Sequence, residues 1–143
     1  MAKESLSKGT GSIGIIVAAH GDLGKVMVET TSMILGHKTS LRPFSFPEGE
    51  EPKASHKRLR ALIQKSDSGR GVIILVDLFG GTPGSLALSM LDEQQVEVLT
   101  GVNLAMVLAA GTLTPDHDLS QACAAILKSG KDSIKEAGAL LNS

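Results

Sequence analysis

Ile13-Gly14-Ile15-Ile16-Val17-Ala18-Ala19 and Val72-Ile73-Ile74-Leu75-Val76 are two unbroken apolar runs, rich in β-branched residues, that stop abruptly at His20 and at Asp77. Runs this short, bounded by polar residues and glycines, suit strands buried on both faces of a parallel sheet. Between them the spacing predicts a helix from Lys25, with Val26, Met27, Met33, Ile34 and Leu35 as apolar positions and Gly36 as a left-handed C-terminal cap. Leu41 to Phe46 reads as a second strand and Pro47-Glu48-Gly49 as a turn. Pro52 then opens a helix whose stripe is Ala54, Leu59, Leu62 and Ile63.

Past Asp77, Gly80-Gly81 breaks the chain, Thr82 is expected to cap a helix and Pro83 to take its first position, with Leu86, Leu88, Met90 and Leu91 as contacts. Val96 to Leu99 is a fourth, shorter strand, and Asn103 is expected to cap the segment Leu104 to Ala110. One last helix is expected to carry Leu119, Cys123, Ile126, Ile134, Ala137 and Leu141. Strands alternating with helices imply right-handed crossovers. The fold class is therefore α/β: a three-layer, doubly wound open sheet, mainly parallel, in strand order 2-1-3-4, with helices on both faces. In that order strands 1 and 3 are neighbours, and ligands bind at the carboxyl edge where the winding reverses. His20 and Asp77 meet there.

Bulk properties fit one compact unit. The 143 residues are 42% apolar and 2% aromatic, so Val, Ile, Leu, Ala and Met must fill the core. Residues 1–11 read as a flexible polar tail and 12–143 as a single domain. A formal net charge of −1 supplies no field to attract nucleic acid or an anionic membrane. The basic cluster Lys53 to Arg60 has no Tyr or Trp beside it to stack bases, and reads as the solvated face of a helix. The single cysteine, Cys123, has no internal disulfide partner, and no apolar run reaches the roughly 20 residues of a membrane span. A cytoplasmic, soluble protein is expected.

His20 follows a buried strand, where a neutral imidazole serves as nucleophile, general base or metal ligand, or is hydrogen-bonded into a loop. Asp77 narrows these options. A carboxylate at a buried strand end is costly unless it accepts hydrogen bonds or faces a charged partner. If it accepts a proton from one ring nitrogen of His20, it fixes the tautomer and frees the lone pair of the other. The alternative is a carboxylate that only caps nearby amides. Gly80-Gly81-Thr82-Pro83 adds two glycines that allow close backbone approach, a helix N-terminus and a hydroxyl, which together make a phosphate-sized site. By itself such a segment is a turn and a helix cap. His37, His56 and His117 show no ligand spacing to one another or to His20, so no metal site is expected, and no nucleotide-binding fingerprint is present.

Four segments resemble a known family: Ile15-Ile16-Val17-Ala18-Ala19-His20-Gly21, Ser32-Met33-Ile34-Leu35-Gly36, Leu75-Val76-Asp77-Leu78-Phe79-Gly80-Gly81-Thr82-Pro83 and Thr100-Gly101-Val102-Asn103-Leu104-Ala105-Met106. They are similar to the enzyme IIA domain of the mannose class of the bacterial phosphoenolpyruvate-dependent sugar phosphotransferase system. The resemblance implies that His20 takes a phosphoryl group on its remote ring nitrogen from the carrier protein HPr and passes it to a IIB component. It implies that Asp77 orients the ring, that Gly80, Gly81 and Thr82 hold the phosphoryl group, and that Gly21, Phe79 and Asn103 line the site. It also implies a homodimer, an indirect association with membrane IIC and IID components, and no cofactor.

Three positions depart from the family pattern. Phe79 stands where many members have Trp, Gly84-Ser85 where many have Phe-Asn, and Ala105 where Pro is usual. The change at Gly84-Ser85 is expected to make one wall of the site smaller and more flexible. Two other functions compete with phosphoryl relay. One is a regulatory module that uses the same phosphorylatable histidine without serving transport. The other is a histidine phosphatase or mutase, against which stands Ala19, where those enzymes have an Arg before the histidine.

Overall fold

The computed structural model describes residues 11–93 and 95–142, so most of the expected N-terminal tail lies outside the described residues. Four strands form one sheet in the order β2-β1-β3-β4, every neighbouring pair parallel. They are β1 (Gly14–His20), β2 (Arg42–Phe46), β3 (Val72–Val76) and β4 (Val96–Leu99). The helices are α1 (Leu23–Leu35), α2 (Pro52–Ser66), α3 (Gly81–Leu88), α4 (Leu104–Gly111), α5 (Leu119–Asp132) and the short α6 (Ala137–Leu141). A 3-10 turn, Ser89–Asp92, extends α3.

The two-residue period of a strand divides the core into two layers. Ile15 and Val17 of β1, with Ile73 and Leu75 of β3, pack against Met106 and Val107 of α4 and Ile126 of α5. The alternate residues Ile16 and Ala18, with Val72, Ile74 and Val76, pack against Leu59 and Ile63 of α2 and Ala87 of α3. Every residue of β3 is 0% exposed, which is why its sequence shows no polar alternation. Pro43 sits in β2, at an edge of the sheet, where a missing amide is tolerated.

Two helices differ from the sequence reading. α1 begins at Leu23 and turns Gly24 and Thr31 inward, while Val26, Met33 and Ile34 are 51%, 74% and 52% exposed. The cause is a close approach: a Cβ on Gly24 would lie 2.6 Å from the Val17 carbonyl oxygen. The helix therefore seats its Gly24, Met27 and Val28 side on the sheet, and the apolar residues of the other side stay outside. Gly36 is the expected left-handed cap, at φ 78°, with its amide on the Ser32 carbonyl. The last helix is also not continuous. α5 buries Ala122, Cys123, Ile126 and Gly130, but none of residues 131–142 is buried, so no core face guides the chain past Asp132. In α2, Ser55 is buried and Ala54 exposed, the reverse of the expected stripe at that turn.

β3 is the central structural element, and cutting Ile74 back to alanine is expected to cost about 2–5 kcal/mol. Urea unfolding of Ile74→Ala would show this as a lower midpoint with little change in slope; an unchanged midpoint would mean that the residue is not packed as described.

Candidate functional site

The β1–β3 register brings the two strand ends together. Ala18 is paired with Val76, and the next residues along each strand carry the chain out at the carboxyl edge, toward His20 and Asp77. One carboxylate oxygen, Asp77 Oδ2, accepts both the His20 backbone amide at 3.0 Å and a contact of 2.8 Å from His20 Nδ1. The other oxygen, Oδ1, accepts the Leu78 amide at 3.0 Å. With Asp77 ionised, Nδ1 must be the protonated nitrogen of a neutral ring, which leaves the lone pair on Nε2. The imidazole is 54% exposed and the carboxylate 12%, so the more enclosed partner orients the accessible one.

Burial is the largest single influence on Asp77 and pushes its pKa up. It is outweighed by the His20 amide, the His20 ring and the Leu78 amide, so the group lies below its ordinary value of 3.8. Asp77 thus stays a carboxylate across the neutral range.

The glycine turn lies next along the chain. Gly80, at φ 103°, is the N-cap of α3 and Gly81, at φ 69°, its first residue. Both use backbone conformations that favour glycine. Thr82 and Pro83 are consequently the second and third helical residues, not the cap and first position expected from sequence, and no side chain caps this helix. Thr82 is exposed and lines, with Ser85, Leu86, Pro52 and Ser55, a groove of about 500 Å³ between α3 and the start of α2.

The other expected site residues are placed as follows. Gly21 turns the chain after His20 at φ 54° with open space where a Cβ would be. Phe79 is 78% exposed and Leu78 60%, so both project from the loop. Asn103 caps α4, its Oδ1 accepting the Met106 amide at 3.0 Å, while its Nδ2 donates to the Gly130 carbonyl at 3.2 Å. Its side chain therefore ties α4 to α5. The neighbouring Val102 amide bonds the Val76 carbonyl at 2.9 Å, which pins the β4 loop beside Asp77. Of the pair Gly84-Ser85, Gly84 is buried, where a Cβ would meet the Leu78 carbonyl oxygen at 2.8 Å, and Ser85 is exposed.

One group was missed in the basic cluster. Arg58 pairs with Glu50 through two nitrogens, at 2.9 and 2.8 Å, donates to the Ser45 carbonyl and lies 4.4 Å from the centre of the Phe44 ring. Ser55 also donates to Glu50, whose pKa is lowered by Arg58 first and Ser55 second. This network braces the turn after Phe46, the β2 residue paired with His20. Glu50 lies in the turn before α2 and Arg58 eight positions on, within the helix, and no sequence period reports such a pair. Elsewhere, burial and then Glu97 push the Cys123 thiol up to about 11, too high for a nucleophile at neutral pH. Among the described residues, no three or more His, Cys, Asp or Glu side chains gather as a metal site would require, and no helix is long and apolar enough to cross a membrane.

Comparison with known proteins gives the same picture. Residues 14–127 match the family model EIIA-man, described as PTS system fructose IIA component. The PTS system mannose-specific EIIAB component of Escherichia coli K12 is 28% identical over 127 residues, 87% of this chain but only 39% of that protein. The PTS system fructose-specific EIIA component of Bacillus subtilis is 31% identical over 97 residues, 67% of this chain and 66% of the relative. The transcriptional regulatory protein LevR of Bacillus subtilis is 34% identical over 104 residues, 68% of this chain and 10% of that protein. Among solved structures, the PTS IIA protein associated with the fucose utilization operon from Streptococcus pneumoniae superposes with a TM-score of 0.78 at 26% identity, covering 92% of this chain and 99% of that one.

The lowered Asp77 pKa has a defined pH signature. A carboxylate depressed by folding adds stability that is complete above its ordinary value and is lost as pH falls through the lower, folded value. The stability advantage of the wild type over Asp77→Asn should hold from neutral pH down to about 4, begin to shrink near the ordinary 3.8 and vanish only as pH passes the lower, folded value. Urea titrations of both proteins from pH 7 to 2 measure it; an advantage that fades already between pH 7 and 5 would contradict an ionised, hydrogen-bonded Asp77.

Proposed function

The chain belongs to the EIIA-man family of phosphotransferase-system IIA components, and we propose that it is a phosphocarrier that accepts a phosphoryl group on Nε2 of His20. The observation that carries this is the 2.8 Å contact between His20 Nδ1 and Asp77 Oδ2, which leaves the exposed ring with its outer lone pair free. In the transfer, Nε2 attacks phosphorus in line and the bond from phosphorus to the donor breaks. Nε2 carries no proton in this tautomer, so none has to leave it. The ring gains positive character as the new P–N bond forms, and the Asp77 carboxylate stabilises that charge through the Nδ1 proton. Gly80, Gly81 and Thr82 are the proposed donors to the phosphoryl oxygens, with the exposed Thr82 directly after the glycine pair.

Phospho-HPr is the proposed donor and a IIB component the acceptor. The Escherichia coli relative's name joins A and B components, and this chain spans about 39% of that protein. A cytoplasmic location for this chain and coupling to uptake through membrane IIC and IID components follow from the same reading. So does a homodimer, supported by the apolar side chains of Val26, Met33 and Ile34 left at the surface of α1. A second reading, a regulatory module that reports phosphorylation state, is favoured by the similarity to the regulator LevR. Both use the same histidine and differ in what reads it.

Incubation with phosphoenolpyruvate, enzyme I and HPr should place acid-labile phosphate on the wild type and none on His20→Ala. Asp77→Asn should be labelled more slowly, on the order of 10- to 100-fold, the range found when metal-binding histidines lose an orienting carboxylate. Label retained by His20→Ala would sink the proposal, and unchanged kinetics in Asp77→Asn would remove Asp77 from it.

A further inference from the structure

The amino edge of the sheet, at the opposite end of the strands from His20, carries a second cleft, of about 480 Å³. That size falls within the range of small-molecule sites. Arg70, on the loop between α2 and β3, lines it together with the start of β1, Ser40, the end of α4 and the loop that follows α4. The backbone on either side of Arg70 is held: Asp67 Oδ1 accepts the amides of Gly69 and Gly71 at 2.8 and 3.1 Å, and the Gly71 carbonyl accepts the Gly14 amide at 2.9 Å. The guanidinium is part-buried, and its Nη2 donates to the His117 carbonyl at 2.6 Å, which ties the loop after α4 to Arg70. Arg58 and Arg60 each have a carboxylate partner, Glu50 and Glu93, but among the described residues no carboxylate forms an ion pair with Arg70. A partly enclosed cation without a counter-ion is a cost to the fold.

We propose that this cleft is a second binding site, for a small organic carboxylate with a compact apolar body. A guanidinium is a planar fork of donors that matches a carboxylate, and among the described residues only Nη2 of Arg70 is engaged by the protein. Ile15, Ala110 and Leu113 supply apolar surface for the body, while Ser12, Ser40 and Thr114 add hydroxyl groups to the lining. One negative charge fits better than two. The lining holds a single cation, and it includes Gly111, the last residue of α4, where a helix carries its partial negative charge. Inorganic phosphate is accordingly the poorer ligand. The seven residues of β1 set the cleft about 20 Å from His20, at roughly 3.3 Å per residue, so an occupant leaves the imidazole and its approaches free. The site is independent of the phosphocarrier reading.

Benzoate is a probe of this class, benzyl alcohol its uncharged counterpart, and inorganic phosphate the control for charge without an apolar body. Each is titrated into the ¹⁵N-labelled full chain at constant ionic strength, and backbone amide shifts locate the binding. Benzoate is expected to give saturable shifts in the millimolar range at Ser12, Ser40, Gly111 and Leu113, with Gly21 and Leu78 unmoved. Benzyl alcohol should bind the same amides more weakly, on the order of tenfold, and phosphate should give no saturable shift there. Arg70→Gln should lower benzoate affinity to that of benzyl alcohol, and Arg70→Lys, which keeps the charge, should bind benzoate more tightly than Arg70→Gln. The proposal is overturned by the absence of saturable benzoate shifts at these amides throughout the millimolar range, by equal affinity for benzoate and benzyl alcohol, or by a folded Arg70→Gln protein with wild-type benzoate affinity. If Arg70→Gln does not fold, the comparison of the probes on the wild type decides the matter without it.

Discussion

One carboxylate oxygen, Asp77 Oδ2, receives two contacts from a single residue, the amide and the ring nitrogen of His20. The pairing does two things at once. The amide contact joins the end of β1 to the end of β3 past the last sheet pair, Ala18 with Val76. The ring contact sets which face and which nitrogen of the imidazole meets solvent. Because both fall on the same oxygen, strand position and ring orientation cannot vary independently, and the accessible nitrogen is defined by the backbone of the sheet itself.

Such a carboxylate is stable there only because the rest of the site supplies donors. Desolvation opposes the charge, and three hydrogen bonds from His20 and Leu78 outweigh it. Those donors are in place because their elements are held on both sides. The Val102 amide on the Val76 carbonyl locks the adjacent loop, and the Glu50–Arg58–Ser45 network locks the turn beyond β2. Asn103, joined to both α4 and α5, holds the same edge from the far face. The His20 imidazole is exposed while its supports are fixed, which suits the proposed acceptor role, in which it is reached by other macromolecules without losing its orientation.

The two strands and the site at their ends were legible from sequence because full burial on both faces leaves an unmistakable mark: Val72 to Val76 is apolar throughout and every residue is 0% exposed. Once the order 2-1-3-4 is inferred, His20 and Asp77 can lie nowhere but together. Finer placement was less legible, for identifiable reasons. Thr82 was read as a helix cap because hydroxyl residues favour that position, but two glycines at positive φ start the helix earlier. Val26, Met33 and Ile34 recur at helical spacing, yet the close seat of Gly24 turns another face of α1 to the sheet and leaves them exposed. Ile134 and Leu141 continued the apolar spacing of α5 beyond the point where the sheet ends. Arg58 looked like one more charge on a basic face, and its bonds to Glu50 and Ser45 depend on a loop conformation that no periodicity encodes.

The division of labour between the two ring nitrogens is the central claim, and it is directly observable. In protein labelled with ¹⁵N histidine and phosphorylated through HPr, phosphorus–nitrogen coupling identifies the bonded nitrogen while the proton-bearing nitrogen is read in the same spectrum. Coupling to Nε2 with the proton kept on Nδ1 is the expected result; coupling to Nδ1, or a His20 ring that takes no phosphorus at all, would contradict it.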